Sequence, residues 1–303
     1  MAVLLGDVAG KTVGRGWVMA AKKQVVGVVG AGVMGVGVCE NLLQHGYWPI
    51  LVDISNDALE GARDQIRRSL GARAMFAKAK GGEPTSTTLE HLTVSTDYQL
   101  LAKVDLVIEN VNEDIDLKRS VFELLDAVTA SACILVANTS CIPITKLGSF
   151  TKRPDKVIGV HFMNPVPLKD TVEVIPGCLT SDETIAETRK FLDELGKNYV
   201  IVNDSPGFIS NRVLMLTINE SIFLLHEGVA EAEKVDTIFK SCFGHKMGPL
   251  ETADLIGLDT ILDSLKVLLT CFGDSKFRPC PLLEKMVDAG LVGRKSGRGF
   301  YSY

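Results

Sequence analysis

VVGVVGAGVMGVGVCE, residues 25–40, is a β-branched run that breaks into glycines and then resumes with the spacing of a helix. Gly30, Gly32 and Gly35 fall as G-x-G-x-x-G directly after the run, at the mouth of the helix that Val33 and Met34 begin. In that spacing the first glycine permits a tight turn and the second lets a diphosphate approach the backbone. The third lets the helix pack closely on the strand. Free amides at the helix start then face the anion. The next apolar run, PILVD, closes on Asp53, 23 residues after Gly30. A carboxylate there binds the hydroxyls of an adenosine ribose and repels the extra phosphate of NADP. Either feature alone has a plain reading, a glycine-rich turn or a strand-end cap. Together they predict a site for NAD(H).

Outward from this stretch, short β-branched runs alternate with helical patterns, the signature of βαβ units and a parallel sheet. Strands are expected at 24–29, 49–52, 104–108, 133–137, 157–161, 171–175 and 199–202, and helices at 33–46, 56–80, 117–129 and 181–195. The last helix is preceded by Thr180-Ser-Asp-Glu183, a capping-box pattern. After Asp204 the alternation stops, and helices are expected at 209–226, 232–242, 260–270 and 282–289. The chain thus divides into an N-terminal extension (1–22), an α/β domain of the Rossmann type with a mostly parallel sheet (23–204) and an all-helical C-terminal domain (205–303). Ser205-Pro206-Gly207 forms the hinge. Residues 81–88, GGEPTSTT, read as a polar surface loop.

At 303 residues the chain is long enough for two cores, and 46% apolar with 23% charged residues is the balance of a water-soluble globular protein. A net charge of −5 speaks against nucleic acid and acidic membrane surfaces as partners, and no apolar run reaches the length of a membrane span. The opening MAVLLGDVAGKTVGRGWVMAAKK lacks the basic start and apolar centre of a secretory leader. Seven cysteines without a C-x-x-C read as reduced thiols of a cytoplasmic protein, and five histidines, none in a metal-binding spacing, predict no metal.

A second stretch carries the chemistry: VIGVHFMNPVPLKDTVEVIPG, residues 157–177. His161 ends a strand, where an open α/β sheet points side chains into the ligand crevice. Asn164-Pro165 turns the chain, so that TVEVI can run back beside the first strand and bring Glu173 to the far nitrogen of the ring. A carboxylate there fixes the tautomer and stabilises an imidazolium. Such a pair suits the oxidation of an alcohol, in which a base removes the hydroxyl proton while hydride departs to nicotinamide. Read alone, a histidine and a glutamate twelve residues apart are more often structural.

GAGVMG, VIENVNED, ANTSCIPIT, HFMNPVP, VEVI, DSPGFISNR, MGPLE and GRKSGRGFY occur in one order between Lys23 and Tyr303, and in that order the chain resembles the 3-hydroxyacyl-CoA dehydrogenase family. The resemblance implies an NAD-dependent oxidoreductase acting on a 3-hydroxyacyl thioester. It implies that His161 is the catalytic base, that Glu173 orients it, and that Ser140 and Asn211 hold the substrate oxygens. On the cofactor side it implies the glycine turn with Val33 and Met34, then Asp53, Glu113, Lys118, Asn138, Asn164 and Lys295. Lys118 and Lys295 could instead be surface charges, and Asn164 could simply shape its turn. The resemblance further implies a homodimer through the helical domain. Ile218, Ile222 and Leu225 fit either that interface or the domain's own core.

The chain departs from the family in two places. The arm SLGARAMFAKAKGG carries only Arg73, Lys78 and Lys80, with Phe76 near the position where the family has a lysine for a coenzyme A phosphate. Asn110 and Asn112 stand where smaller or aliphatic residues are usual. A weaker phosphate patch would suit an acyl group on a carrier protein's phosphopantetheine arm as well as coenzyme A. Two further readings are a hydroxy-acid or sugar-acid dehydrogenase working on free carboxylates and a non-catalytic relative that keeps the fold.

Overall fold

The β-branched runs pair into one eight-stranded sheet in the computed structural model, which describes residues 25–79 and 89–303. The expectations for the extension 1–22, for Lys80 and the 81–88 loop, and for the side chains of Phe76 and Lys78 lie outside the described residues. The strands are β1 (Val25–Val29), β2 (Trp48–Val52), β3 (Thr93–Ser95), β4 (Leu106–Glu109), β5 (Ile134–Ala137), β6 (Val157–His161), β7 (Thr171–Pro176) and β8 (Asn198–Ile201). They lie in the order β3-β2-β1-β4-β5-β6-β7-β8. Every neighbouring pair is parallel except β6–β7, where the turn after His161 sends the chain back antiparallel and sets His161 opposite Glu173. The order reverses about β1, which lies between β2 and β4. Crevices at the carboxyl ends of strands beside such a reversal are where open α/β sheets bind ligands.

Five helices cover the sheet: α1 (Val33–Gln44), α2 (Asn56–Ala79), α3 (Ile115–Val128), α4 (Ile144–Gly148) and α5 (Asp182–Glu194). One face buries Val28, Leu42, Leu51, Ile66, Ile108 and Leu192 together, the other Val107, Phe122, Leu125, Leu135 and Leu147. Strand β3 was not expected; at three residues, half-exposed and on the sheet edge, it carries too little apolar alternation to be read. The cap of α5 also differs from the reading at Thr180. The Thr180 hydroxyl accepts the Gly177 amide and donates to the Val157 carbonyl (2.5 Å), pinning the chain to β6. Ser181, one residue on, is the cap and accepts the Thr184 amide at 3.2 Å.

Beyond the sheet come α6 (Ser210–His226), α7 (Ala232–Phe243), α8 (Pro249–Ile256), α9 (Leu258–Phe272) and α10 (Pro281–Asp288). Their core includes Ile218 and Ile222, both fully buried, so these two belong to the domain's interior and not to an exposed face; Leu225, partly buried, packs against that core. The apolar residues that α6 does expose are Ile209, just before it, and Val213, at 55% and 60%. The tail is fastened by two buried carboxylates. Asp254 accepts the Phe300 and Tyr301 amides and the Tyr303 hydroxyl, and Asp236 accepts the Tyr301 hydroxyl with the Leu250 and Glu251 amides. No helix among the described residues is long and apolar enough to cross a membrane.

The two parts interlock. Asp204, after β8, caps α4 through the Ile144 and Thr145 amides at 2.9 and 2.7 Å. Cys141, in the loop after β5, is fully buried within the core of the helical part, where burial pushes its thiol up to about 12. The hinge itself turns through positive φ at Gly207 (76°) and Phe208 (49°). A left-handed backbone at a bulky residue costs on the order of 1 kcal/mol and persists only where its surroundings require it.

Candidate active site

At the first crossover, Gly30 adopts φ 96°, and a Cβ there would lie 2.9 Å from the backbone of Asn110. A Cβ on Gly35 would sit 1.8 Å from the Gly30 carbonyl oxygen, so only glycine allows α1 to begin this close to β1. Gly32 is the opposite case. Nothing lies within 4 Å of a Cβ placed on it, and its face is open to an approaching group. The N-terminus of α1 has no side-chain cap and no acid in its first turn, which leaves its amides for an anion. Val33 is exposed beside them and Met34 packs on the sheet core. Asp53 turns its carboxylate onto the same loop, accepting the Ala31 amide at 2.7 Å and the Ser55 amide at 3.0 Å. An open glycine turn, unused helix amides and an acid at the second strand's end fit the diphosphate and adenosine ribose of NAD(H).

Past the ends of β5 and β6 the side chains form a hydrogen-bonded chain. Ser140 Oγ lies 3.1 Å from His161 Nε2, and His161 Nδ1 lies 2.9 Å from Glu173 Oε2. His161 and Glu173 are 6% and 7% exposed, so their interaction is little screened. Burial alone would raise the Glu173 carboxyl. Donation from His161, the Ser210 hydroxyl and the Ser210 amide outweighs it and holds the group down at about 2. Nδ1 therefore donates to an ionised carboxylate and leaves Nε2 free to accept a proton from a hydroxyl.

Ser210 was not singled out from the sequence, although it stands beside Asn211 in the Ser-Asn-Arg motif. Its hydroxyl donates to Glu173 Oε2 at 2.7 Å, and the Ile209 and Ser210 amides donate to Oε1 at 2.9 and 3.0 Å. The adjacency to Asn211 was the available signal. The backbone donors had none, because they follow from the direction of the hinge.

Of the residues expected on the cofactor side, Glu113 organises the loop that carries Ser140. Its Oε1 accepts the amides of Ser140, Cys141 and Ile142 and the Thr139 hydroxyl. Asn138 joins three strand ends: its amide nitrogen donates to Asn110 (2.7 Å) and its oxygen accepts the Phe162 amide (3.1 Å). Asn110 in turn donates to the Ile108 carbonyl. Lys118 is not the surface charge of its alternative reading: it is fully buried, with Nζ on both oxygens of Glu109 at 2.9 and 2.8 Å and on the Val111 carbonyl. Lys295 is exposed on the C-terminal tail and is held by Asp259 of α9 at 2.5 Å. Asn164 is exposed at a cis peptide before Pro165. Asn211 reaches the Ser140 loop from α6, with Nδ2 3.6 Å from Cys141 Sγ.

Comparison with known proteins assigns both parts of the chain to one family. The family model for the 3-hydroxyacyl-CoA dehydrogenase NAD binding domain matches residues 25–205, and that for the C-terminal domain of the same family matches 207–303. A 3-hydroxybutyryl-CoA dehydrogenase of Bradyrhizobium diazoefficiens is 44% identical over 285 residues, covering 94% of this chain and 97% of that one. One from Clostridioides difficile is 41% identical over 277 residues, 91% and 98% of the two chains. The solved structure of (S)-3-hydroxybutyryl-CoA dehydrogenase from Ralstonia eutropha superimposes with a TM-score of 0.85 at 40% identity, covering 93% of this chain and 99% of that one. With the glycine turn, Asp53 and the matched models in register, the chain belongs to the 3-hydroxyacyl-CoA dehydrogenase family and is an NAD-dependent enzyme of that type.

Proposed function

We propose that the enzyme interconverts a short 3-hydroxyacyl-CoA, 3-hydroxybutyryl-CoA in the first instance, and its 3-oxoacyl form, with His161 and Glu173 as the acid–base pair. The observation that carries this reading is the continuous chain Ser140 Oγ–His161 Nε2, His161 Nδ1–Glu173 at 3.1 and 2.9 Å. In oxidation, the substrate hydroxyl takes its place between Ser140 and His161, and its proton passes to Nε2. The imidazolium so formed is stabilised by Glu173 and returns the proton in the reverse direction. The nicotinamide, when bound, supplies the acceptor for the hydride that leaves the same carbon. Ser140 and Asn211 hold the 3-oxygen and the thioester carbonyl as preorganised donors, and Glu113 keeps Ser140 in position. Asp53 and the glycine turn hold the adenosine end, and the two domains divided at the Ser205–Gly207 hinge close over the acyl group.

The short acyl chain and coenzyme A as carrier are supported by the names of the relatives. A carrier-protein substrate was suggested by the lysine-poor arm, whose decisive side chains are outside the described residues. His161→Ala tests the chemistry: NADH binding should persist while oxidation of 3-hydroxybutyryl-CoA falls by roughly 10²-fold or more. Turnover near the wild-type rate would overturn the assignment. Parallel assays on 3-hydroxybutyryl-CoA, on the same acyl group bound to a carrier protein, and on free 3-hydroxybutyrate decide the carrier.

The proposal extends to a homodimer. Ile209 and Val213, with Leu214, Phe239, Met247 and Pro249, line an apolar groove of about 350 Å³ along α6 that suits a second copy. Seven free cysteines support a reducing, cytoplasmic setting.

A further inference from the structure

We propose that Ser210 is a positioning residue through which the helical domain sets the proton affinity of the His161–Glu173 pair. The inference rests on the acid–base reading above. Glu173 lies on the sheet, on β7, and so does its partner His161, on β6. Of the four donors on its carboxylate, one is His161 and three come from the other domain: the Ile209 amide, the Ser210 amide and the Ser210 hydroxyl. The two amides occupy Oε1. The hydroxyl shares Oε2 with His161 Nδ1, at 2.7 and 2.9 Å, and lies 3.4 Å from Nδ1 itself.

A carboxylate oxygen that already accepts a strong hydrogen bond offers less negative charge to a second donor. Ser210 therefore draws charge away from the ring at the oxygen the ring uses, and it favours a neutral imidazole ready to take a proton. It also limits where the carboxylate can rotate, so the Nδ1–H stays aimed and Nε2 stays toward Ser140. Both effects depend on the helical domain being seated. The donors begin immediately after Phe208, whose positive φ of 49° turns the Ile209 and Ser210 amides onto β7. The ring of Phe208 lies 5.9 Å from that of His161 and closes that side of the pair.

Few other charges bear on the site. Glu113 acts on the far side of Ser140 from the loop after β4, and Cys141 beside it is buried with its thiol pushed up. Val200 of β8 stands opposite Glu173 and carries no charge. On α6 the nearest charge is Arg212, whose guanidinium is stacked over Phe272.

The test is the pH dependence of kcat/KM for NAD-dependent oxidation of 3-hydroxybutyryl-CoA by the wild type, Ser210→Ala and Ser210→Thr. Alanine keeps the backbone amide and removes only the hydroxyl; threonine keeps the hydroxyl. The acidic limb of the alanine variant is expected to move up by roughly 0.5–1 pH unit, a loss of about three- to tenfold on that limb, with the KM for NAD unchanged. The threonine variant should return close to the wild-type limb. Titration of the His161 ring by NMR in the substrate-free alanine variant should move the same way, and it remains readable if turnover is too slow to measure. An alanine limb that superimposes on the wild type, or a threonine limb displaced as far as the alanine one, overturns the role of the hydroxyl. His161→Ala, assayed alongside, separates the two levels. If that variant loses turnover while Ser210→Ala titrates normally, only the Ser210 inference falls; if it keeps turnover, the acid–base reading falls with it.

Discussion

Glu113 and Ser140 lie in different crossovers of the sheet, and one carboxylate oxygen of Glu113 accepts the Ser140 amide at 3.0 Å together with the amides of the next two residues. The loop that presents Ser140 to His161 is therefore folded around a charge. Glu113→Ala should leave the Ser140 and Cys141 amides and the Thr139 hydroxyl without an acceptor, while the Ile142 amide keeps the Thr139 hydroxyl oxygen, and hydrogen bonds to a charged group are each worth about 1.5–3 kcal/mol. Even with water taking part of the load, we expect a stability loss of about 2–3 kcal/mol and a fall in kcat of roughly tenfold or more through displacement of Ser140. Glu113→Gln retains a carbonyl acceptor and should keep most of the stability. Urea midpoints with kcat for the two variants check this; equal damage from both would show that charge, and not the acceptor, matters.

The Glu173 carboxyl, held at about 2 against an ordinary 4.5, gives the fold a defined response to acid. A carboxyl whose folded value is depressed adds stability wherever it is ionised in both states, here at pH above about 4.5. That contribution, on the order of 2–3 kcal/mol, drains as the pH falls from about 4.5 toward 2. Glu173→Gln should remove it, so the stability difference between wild type and variant should be largest near neutrality and shrink below pH 4.5. Denaturant titrations from pH 6 to pH 3 measure that difference directly. A difference that stays constant across the range would mean that the carboxylate is not specially stabilised in the fold.

Lys118 and Glu109 form a buried ion pair beneath the end of β4, with both oxygens of the carboxylate on one ammonium. Lys118→Met should destabilise by about 3–5 kcal/mol, because it strands a charge in the core. Adding Glu109→Gln to that variant should recover a large part of the loss, since the amide oxygen can still accept the Val111 amide. If the buried ammonium serves only this ion pair, NAD affinity should change little in the double variant. Fluorescence titration with NADH alongside urea unfolding tests both halves; a large loss of NADH affinity at restored stability would return Lys118 to the cofactor.

The extent to which residues could be read from the sequence follows from how local their physics is. Gly30, Gly32, Gly35 and Asp53 announce themselves because spacing along one βα unit is what their geometry needs. His161 and Glu173 were readable because a short turn at Asn164-Pro165 makes adjacent antiparallel strands the economical outcome. The sheet's core strands showed as β-branched runs, whereas β3, α4 and α8 are short and were not expected. Lys118 looked like a surface charge or a cofactor contact because its partner, Glu109, lies on the strand before its helix and the pair is hidden only after packing. Asn110 looked like a departure and proves to be part of an amide link from β4 through Asn138 to the residue after His161. Ser210 had its neighbour Asn211 as a signal, but the Ile209 and Ser210 amides depend on where a hinge aims a second domain, which no local pattern encodes.

The helical domain's surface makes the last prediction. Ile218 and Ile222 face inward on α6 and are fully buried, while Val213 on the same helix is exposed and borders the apolar groove with Phe239 and Met247. The two positions therefore separate assembly from folding. Ile222→Asp places an unpaired charge in a packed core and should unfold the domain. Val213→Asp places a charge on solvent-facing surface and should leave the fold intact, with a thermal midpoint within a few degrees of the wild type. If two copies meet on this groove, the same aspartate must be desolvated against its counterpart across the interface, and like charges facing each other there cost several kcal/mol. Light scattering coupled to size exclusion should then give twice the chain mass for the wild type and once the chain mass for Val213→Asp at micromolar concentration. A Val213→Asp variant that stays dimeric would move the contact to another face, and a monomeric wild type would remove it.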